Sequence, residues 1–190
     1  MRVVTFDIET VPQPGATTFD VTTQDITVVG IHDSEQDAYA CYTVDELGEL
    51  WKVLEHADML VGYNSDHFDI PILNKYYPGE LKQIKSLDLL KEIYKVLGRR
   101  VRLDAVAEGT LKANKSGNGL EAQTWWRNGE IEKVKSYCLK DVEITKRIFD
   151  YALENQALKF KELGKVHDVR LDTSNWLTPT SASITRTLGL

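Results

Sequence analysis

Three strand-like segments stand at the start of the chain, before any helical pattern, and they constrain its fold more than any other feature. Residues 2–9 alternate in character and are rich in β-branched residues, as expected for a strand with one buried face. Residues 26–33 and 37–43 have the same character and are separated by a turn-like tripeptide at 34–36. The sequence therefore predicts a strand followed by a β-hairpin.

Helical and strand-like segments alternate after the hairpin. Leu47, Leu50 and Leu54 recur at helical spacing, whereas residues 59–64 form a short apolar run that is typical of a buried strand. In chain order, the further expected elements are a helix over 44–57, a strand over 59–64, a helix over 69–77, a strand over 84–87, helices over 88–97 and 103–112, a loop over 111–119 and a long helix over 130–157. This order predicts a mixed α/β fold.

The length of the chain, 190 residues, fits about one domain with a core of its own. We expect residues 1–160 to form that domain and residues 161–190 to be a C-terminal extension of unknown role, in which 167–176 is either a hairpin or a docking segment. Two cysteines are too few for a disulfide framework or a Cys-based zinc site. No apolar run approaches the roughly 20 residues that cross a bilayer, so a soluble, cytoplasmic protein is expected.

The net charge of −6 argues against a protein that holds nucleic acid by bulk electrostatics. The charge is uneven, however, because residues 82–115 carry nine basic and four acidic side chains. A basic run of this kind is usually a solvated helix face. It gains a function only if a polyanion has to be held nearby, and both interpretations stay open at this point.

Two acids lie close together on the first predicted strand. Asp7 and Glu9 are two residues apart, so their side chains leave the same face, while Phe6 and Ile8 point the other way. Two adjacent carboxylates repel each other unless a cation lies between them, and hard oxygen ligands suit Mg²⁺ or Mn²⁺. An isolated pair with this spacing is nevertheless more often an acid facing solvent at a strand end.

Further polar residues stand at the ends of other predicted elements. Tyr137 and Asp141 are four residues apart and share one face of the long helix. Asp69 follows an apolar run at the start of a helix, where an ordinary N-cap would explain it equally well. Asn64, at the end of the preceding strand, is compatible with a simple turn. Each signal alone is weak.

Taken together, three phrases follow one another in a characteristic order: FDIET at 6–10, NSDHFD at 64–69 and YCLKD at 137–141. They resemble the three exonuclease motifs of the DEDD superfamily, which are D-x-E, N-x₃-F-D and Y-x₃-D. The phrase GYNSDHFDIPIL at 62–73 is similar to the second motif of the proofreading domains of family-B DNA polymerases and of related free-standing exonucleases. The resemblance covers roughly residues 1–155.

The resemblance implies a ribonuclease-H-like fold, with a five-stranded mixed sheet of three antiparallel strands followed by two parallel ones, flanked by helices. It implies that four acids bind metal, namely Asp7, Glu9, Asp69 and Asp141. Tyr137 would orient the attacking water, which assigns the chain to the tyrosine subgroup (DEDDy). The other subgroup has a histidine five residues before the last aspartate, and this chain has Ser136 there.

The activity implied is metal-dependent 3′→5′ exonucleolytic hydrolysis of single-stranded nucleic acid with two Mg²⁺ (or Mn²⁺), DNA being favoured. We expect Thr10, Asn64 and Phe68 to contact the substrate. Trp125 and Trp126 either stack an unpaired base or form a buried pair. The alternatives are an exoribonuclease, an endonuclease of the same fold and an inactive nucleic-acid-binding module, while a polymerase or helicase partner stays undetermined.

Overall fold

The structure is a computed structural model and describes residues 1–16, 20–113 and 119–179. Strands and helices alternate along the chain largely as the sequence predicts. In order, they are β1 (Val3–Pro12), β2 (Gln24–Asp33), β3 (Ala38–Thr43), α1 (Leu47–Leu54), β4 (Met59–Gly62), α2 (Asp69–Leu73), β5 (Lys85–Asp88), α3 (Leu89–Leu97), α4 (Leu103–Leu111), α5 (Gly119–Arg127), α6 (Ile131–Asn155), β6 (Ala157–Glu162) and β7 (Lys165–Arg170).

The central sheet has five strands in the order β3-β2-β1-β4-β5. The pairs β1/β2 and β2/β3 are antiparallel, whereas β1/β4 and β4/β5 are parallel. Three antiparallel strands followed by two parallel ones are the arrangement that the sequence predicts, so the ribonuclease-H-like α/β fold class is confirmed.

Helices cover both faces of the sheet because its strands are apolar on both sides. Phe6 and Ile8 of β1 pack on one face in a buried cluster that includes residues of α1 and α2. On the other face, Met59 and Val61 of β4 pack with buried residues of α3, α4 and α6. The acids of β1 therefore do not point into the α1/α2 core.

Two helices differ from the sequence-based expectation. Helix α2 ends at Leu73 rather than near residue 77, and the proline at 78 disfavours helical backbone for the residue before it. Helix α5 was not predicted, because its sequence has no apolar stripe and only Ala122 is buried. Residues 114–118 of the expected loop lie outside the described residues.

The segment after α6 forms an antiparallel hairpin of β6 and β7. It packs on α4 at Gly109, where a Cβ atom would lie 2.5 Å from the Cα of Phe160. The chain then returns to the sheet, and the Nζ of Lys85 donates hydrogen bonds to three main-chain carbonyls between residues 175 and 178. Part of the 167–176 segment is thus a hairpin strand. The division at residue 160 stays a prediction, although β6 runs through that position.

No helix in the described part of the chain is both long and apolar enough to cross a membrane.

Candidate active site

The parallel strands β1, β4 and β5 end along the same edge of the sheet, where polar residues collect. Asp7 and Glu9 lie in the middle of β1, beyond its pairing with β4, Asn64 follows β4, and Asp88 ends β5. In sheets of this kind, ligands bind beyond the carboxyl ends of parallel strands. This edge is therefore the candidate site.

Asp7 and Glu9 share the face of β1 that is turned towards α6. One carboxylate oxygen from each acid and the Sγ of Cys138 all lie within 4.8 Å of one another. Glu9 is buried, and Asp7 is partly exposed. The opposite orientation of Phe6 and Ile8, which are in the core, agrees with the spacing argument from the sequence.

Gly30 brings helix α6 close to this acid pair. It lies beside Asp7 in the β1/β2 register, and a Cβ atom there would stand 2.9 Å from the Sγ of Cys138 and 3.0 Å from a methyl carbon of Val142. The thiol of Cys138 donates to the main-chain carbonyl of Asp7 at 3.4 Å. A side chain at position 30 would thus require the side chains of Cys138 and Val142, or α6 itself, to shift.

The same helix carries the remaining residues of the third motif. Tyr137 directly precedes Cys138, and Asp141 follows it by three residues, less than one helical turn. Tyr137 is 7% exposed and Asp141 is 4% exposed. Both are therefore held on the buried side of α6, in the stretch that approaches β1.

Asp69 reaches the first strand from the start of α2. Its side chain is buried, which raises its pKa to about 7, and the charge of Asp88 acts in the same direction. The main-chain amides of Asp69 itself and of Ile8 donate to the carboxylate and partly offset this effect. Because Ile8 lies between Asp7 and Glu9, the Asp69 carboxylate lies against the strand that carries the acid pair.

Asp88 is a further acid at this edge of the sheet that the sequence analysis does not single out. Its Oδ1 accepts hydrogen bonds from the main-chain N–H groups of Asn64 at 2.8 Å and Leu90 at 2.9 Å, and its Oδ2 accepts one from Asp66 at 3.1 Å. It thus caps α3 and fixes the turn after β4 at the same time. Burial raises its pKa despite these bonds. An acid between a short strand and an apolar helix was the available signal.

The three predicted substrate contacts have different surroundings. Asn64 is partly exposed and adopts a left-handed backbone conformation (φ 66°). Thr10 is buried, and its hydroxyl donates to the Oε1 of Gln24 at 3.4 Å. Phe68 is half-buried and packs against the α1/α2 core. Asn64 and Phe68 are thus partly accessible, whereas Thr10 is buried.

Trp125 lies against Tyr137, because α5 packs on α6. The two ring centroids are 6.0 Å apart with an angle of 68° between the planes. Both tryptophans of the pair at 125–126 are half-buried, which is intermediate between the two expectations from the sequence. Trp125 and Tyr137 line an open cleft of about 650 Å³. This cleft is large enough for a small ligand.

The donor set at this edge fits Mg²⁺ or Mn²⁺ better than a thiolate-binding metal. Carboxylates are hard oxygen ligands. Among the described residues, Asp7 and Glu9 lie within ligand distance of each other, together with Cys138. Asp69 and Asp141 are buried on α2 and α6 but do not fall within that group. Burial raises the pKa of the Cys138 thiol, and the neighbouring Cys41 and Asp7 raise it further. The thiol therefore stays protonated and serves as a packing and hydrogen-bonding group.

The basic segment at 82–115 is not a uniform cationic face. Several of its cations form ion pairs, as the pairs Lys91–Asp66, Lys95–Glu92, Arg99–Glu162 and Arg102–Asp104 show. Lys85 is bound to main-chain carbonyls of the returning chain. These contacts favour the solvated-face interpretation for most of the segment.

The comparisons with known proteins agree with this architecture. The model of the family RNase_H_2, described as RNase_H superfamily, matches residues 4–153. Among similar solved structures is the family B DNA polymerase from the hyperthermophilic archaeon Pyrobaculum calidifontis, with a TM-score of 0.64 and 18% sequence identity. The match covers 80% of this chain and 24% of the polymerase, so the chain spans about a quarter of that enzyme's length. A comparison with the curated proteins found no match.

Proposed function

Because this chain belongs to the RNase_H_2 family of the RNase_H superfamily, we propose that it is a metal-dependent nuclease that removes nucleotides from the 3′ end of single-stranded nucleic acid. DNA is the favoured substrate. The similarity of this fold to part of a DNA polymerase supports the choice of DNA. It also supports a polymerase as a partner protein.

One observation carries the proposal. The acid pair of β1 meets the stretch of α6 that bears Tyr137 and Asp141, and glycine at position 30 allows this close approach. The acid pair and this stretch of α6 are more than 120 residues apart in the sequence. Carboxylates that converge on one place are the arrangement that a bound divalent cation favours.

In this proposal Asp7, Glu9, Asp69 and Asp141 hold two divalent cations. Such cations, when bound, supply charge stabilisation for the phosphate and lower the pKa of water. Four carboxylates offset the charge of two such ions almost completely, so a loaded site no longer repels a polyanion. The burial of Asp69, which raises its pKa to about 7, is the kind of cost that a neighbouring cation would relieve.

Tyr137 would hydrogen-bond the attacking water and orient it towards phosphorus. A phenol can donate or accept a hydrogen bond while it stays uncharged at neutral pH. Trp125, whose ring contacts that of Tyr137, would present an aromatic surface to an unpaired base. Asn64, Thr10 and Phe68 are the other proposed contacts of the substrate.

A labelled-substrate time course tests the function. A short single-stranded DNA and its RNA counterpart, both labelled at the 5′ end, should be shortened from the 3′ end into a ladder in Mg²⁺ and stay intact in EDTA. A circular single strand serves as the control and should resist. Cleavage of the circle, release of a labelled mononucleotide without a ladder, or equal turnover in chelator would contradict the proposal. Faster shortening of RNA would favour the exoribonuclease alternative.

Replacing Tyr137 with phenylalanine should slow cleavage by up to roughly 10²-fold, as expected when one positioned proton-handling group is lost. The ring contact with Trp125 would remain, so the melting temperature should change little. Single-turnover rates measure the effect. Tyr39→Phe, at an exposed position of β3 at the opposite edge of the sheet from β5, is the matched control and should leave the rate unchanged. An unchanged rate in Tyr137→Phe would mean that another group orients the water.

A further inference from the structure

Three arginines stand close together between α3 and α4, and one of them differs from its neighbours. Arg99 forms an ion pair with Glu162 at 2.8 Å and lies over the ring of Phe160. Arg102 forms an ion pair with Asp104 at 2.8 Å. Arg100 forms no ion pair with any residue that the structure describes, and its Nη2 donates to the neutral side-chain oxygen of Asn64. Its charge is therefore not neutralised by a carboxylate of the described chain.

The acids near Arg100 are already occupied by other donors. Asp66 accepts hydrogen bonds from the hydroxyl of Ser86 at 2.6 Å and from the Nζ of Lys91 at 2.9 Å. Asp88 accepts main-chain N–H groups on both oxygens. These acids are therefore held by other donors, and none of them forms an ion pair with the Arg100 guanidinium.

Arg100 also lies at the rim of the candidate site. Asn64, its hydrogen-bond partner, forms the left-handed turn directly after β4 and precedes Asp69 by five residues. Arg100 and Asn64 both line two adjoining clefts of about 290 and 330 Å³. The guanidinium thus stands between two surface depressions that adjoin the acidic edge of the sheet.

We propose that Arg100 binds a backbone phosphate of the single-stranded substrate near the bond that is cut, with the Asn64 side chain holding the guanidinium in position. The inference rests on the proposed function and names a contact within it. A guanidinium has five N–H donors in a planar fork that matches phosphate oxygens, and Asn64 occupies one of its nitrogens.

The salt dependence of binding measures whether Arg100 contacts a phosphate. The fluorescence anisotropy of a labelled oligothymidylate is titrated at several KCl concentrations, with Ca²⁺ in place of Mg²⁺ to suppress turnover. Arg100→Gln should weaken binding roughly 10-fold and reduce the slope of log K against log [KCl] by about 0.7, the value for one phosphate of a single strand. Arg100→Lys should largely retain the slope.

The neighbouring arginines supply matched controls. Arg99→Gln and Arg102→Gln remove the same charge from exposed positions and should leave the slope unchanged, because both side chains are already paired with acids. All three positions are exposed, so none of the variants should lose its fold. An unchanged slope in Arg100→Gln, or an equal decrease in all three variants, would overturn the proposal.

A set of oligonucleotides with one neutral methylphosphonate linkage then locates the contact. The wild-type protein should lose affinity at one linkage near the 3′ end, and Arg100→Gln should be insensitive at that same linkage. This pattern in a protein that does not cleave would support the phosphate contact while refuting the exonuclease. Cleavage from the 3′ end, together with the same affinity profile along the linkages for wild type and Arg100→Gln, would support the exonuclease and overturn the Arg100 contact. If the wild-type protein binds neither oligothymidylate nor its RNA counterpart, the Arg100 contact is overturned as well.

Discussion

Replacing Asp7 with asparagine should lower the rate of hydrolysis by roughly 10³-fold or more while the protein keeps its fold. Bound cations supply several kcal/mol of transition-state stabilisation, and each 1.36 kcal/mol corresponds to a factor of ten in rate. Asp7 is the acid on β1 that lies beside both Glu9 and the third-motif stretch of α6. Its replacement removes a central ligand of the proposed metal site. Single-turnover cleavage of labelled DNA in saturating Mg²⁺ measures the effect.

The stability of this variant separates a lost ligand from a lost fold. Removing one of two adjacent carboxylates relieves their repulsion, so the melting temperature without metal should stay the same or rise. Asp150→Asn, which removes a surface acid paired with Lys146 on α6, is the control and should leave the rate unchanged. Substantial activity in Asp7→Asn would refute the assigned site. A fallen melting temperature would instead give Asp7 a structural role.

Replacing Gly30 with alanine should reduce both stability and activity. The new Cβ atom would lie 2.9 Å from the Sγ of Cys138 and 3.0 Å from a methyl carbon of Val142, so these side chains or α6 itself must shift. Overpacking of this kind costs about 1–3 kcal/mol of the free energy of unfolding. Because α6 carries Tyr137 and Asp141, a displacement approaching 1 Å should also lower the rate by roughly 10²-fold.

Gly48 provides the matched control for this prediction. It lies in α1, and a Cβ atom there would meet nothing within 4 Å. Gly48→Ala should therefore raise the free energy of unfolding by roughly 0.5–1 kcal/mol, since alanine restricts the unfolded chain, and should leave cleavage unchanged. Urea unfolding together with single-turnover rates tests both variants. A Gly30→Ala protein with full activity would show that the close seating of α6 is not needed.

Local patterns were sufficient to predict most of the sheet. The strand over 2–9 and the hairpin at 26–43 follow from alternation and turn residues, and the structure confirms them with slightly different ends. The spacing of Asp7 and Glu9 predicted a shared face because side chains alternate along any strand. Helix α5 could not be predicted in the same way, since it packs on α6 and β1 without an apolar stripe of its own.

The contacts between distant segments were the part that the sequence could not supply. The role of Gly30 depends on where α6 crosses the sheet, although a glycine inside a β-branched run is a known sign of close backbone approach. Asp88 is one of four acids in a basic segment of the sequence. Its hydrogen bonds with four main-chain N–H groups form only when the turn after β4 is in place. The difference between Arg100 and its neighbours likewise depends on partners far away in the sequence.

The central claim is that carboxylates from β1, α2 and α6 hold divalent cations together. The most direct measurement is the anomalous scattering of Mn²⁺ in crystals of the protein soaked in that ion. We expect a peak at about 2.0–2.2 Å from oxygens of Asp7, with Glu9, Asp69 and Asp141 as its neighbours. The claim would be contradicted if anomalous peaks showed Mn²⁺ bound elsewhere in the crystal and no peak lay at these four carboxylates.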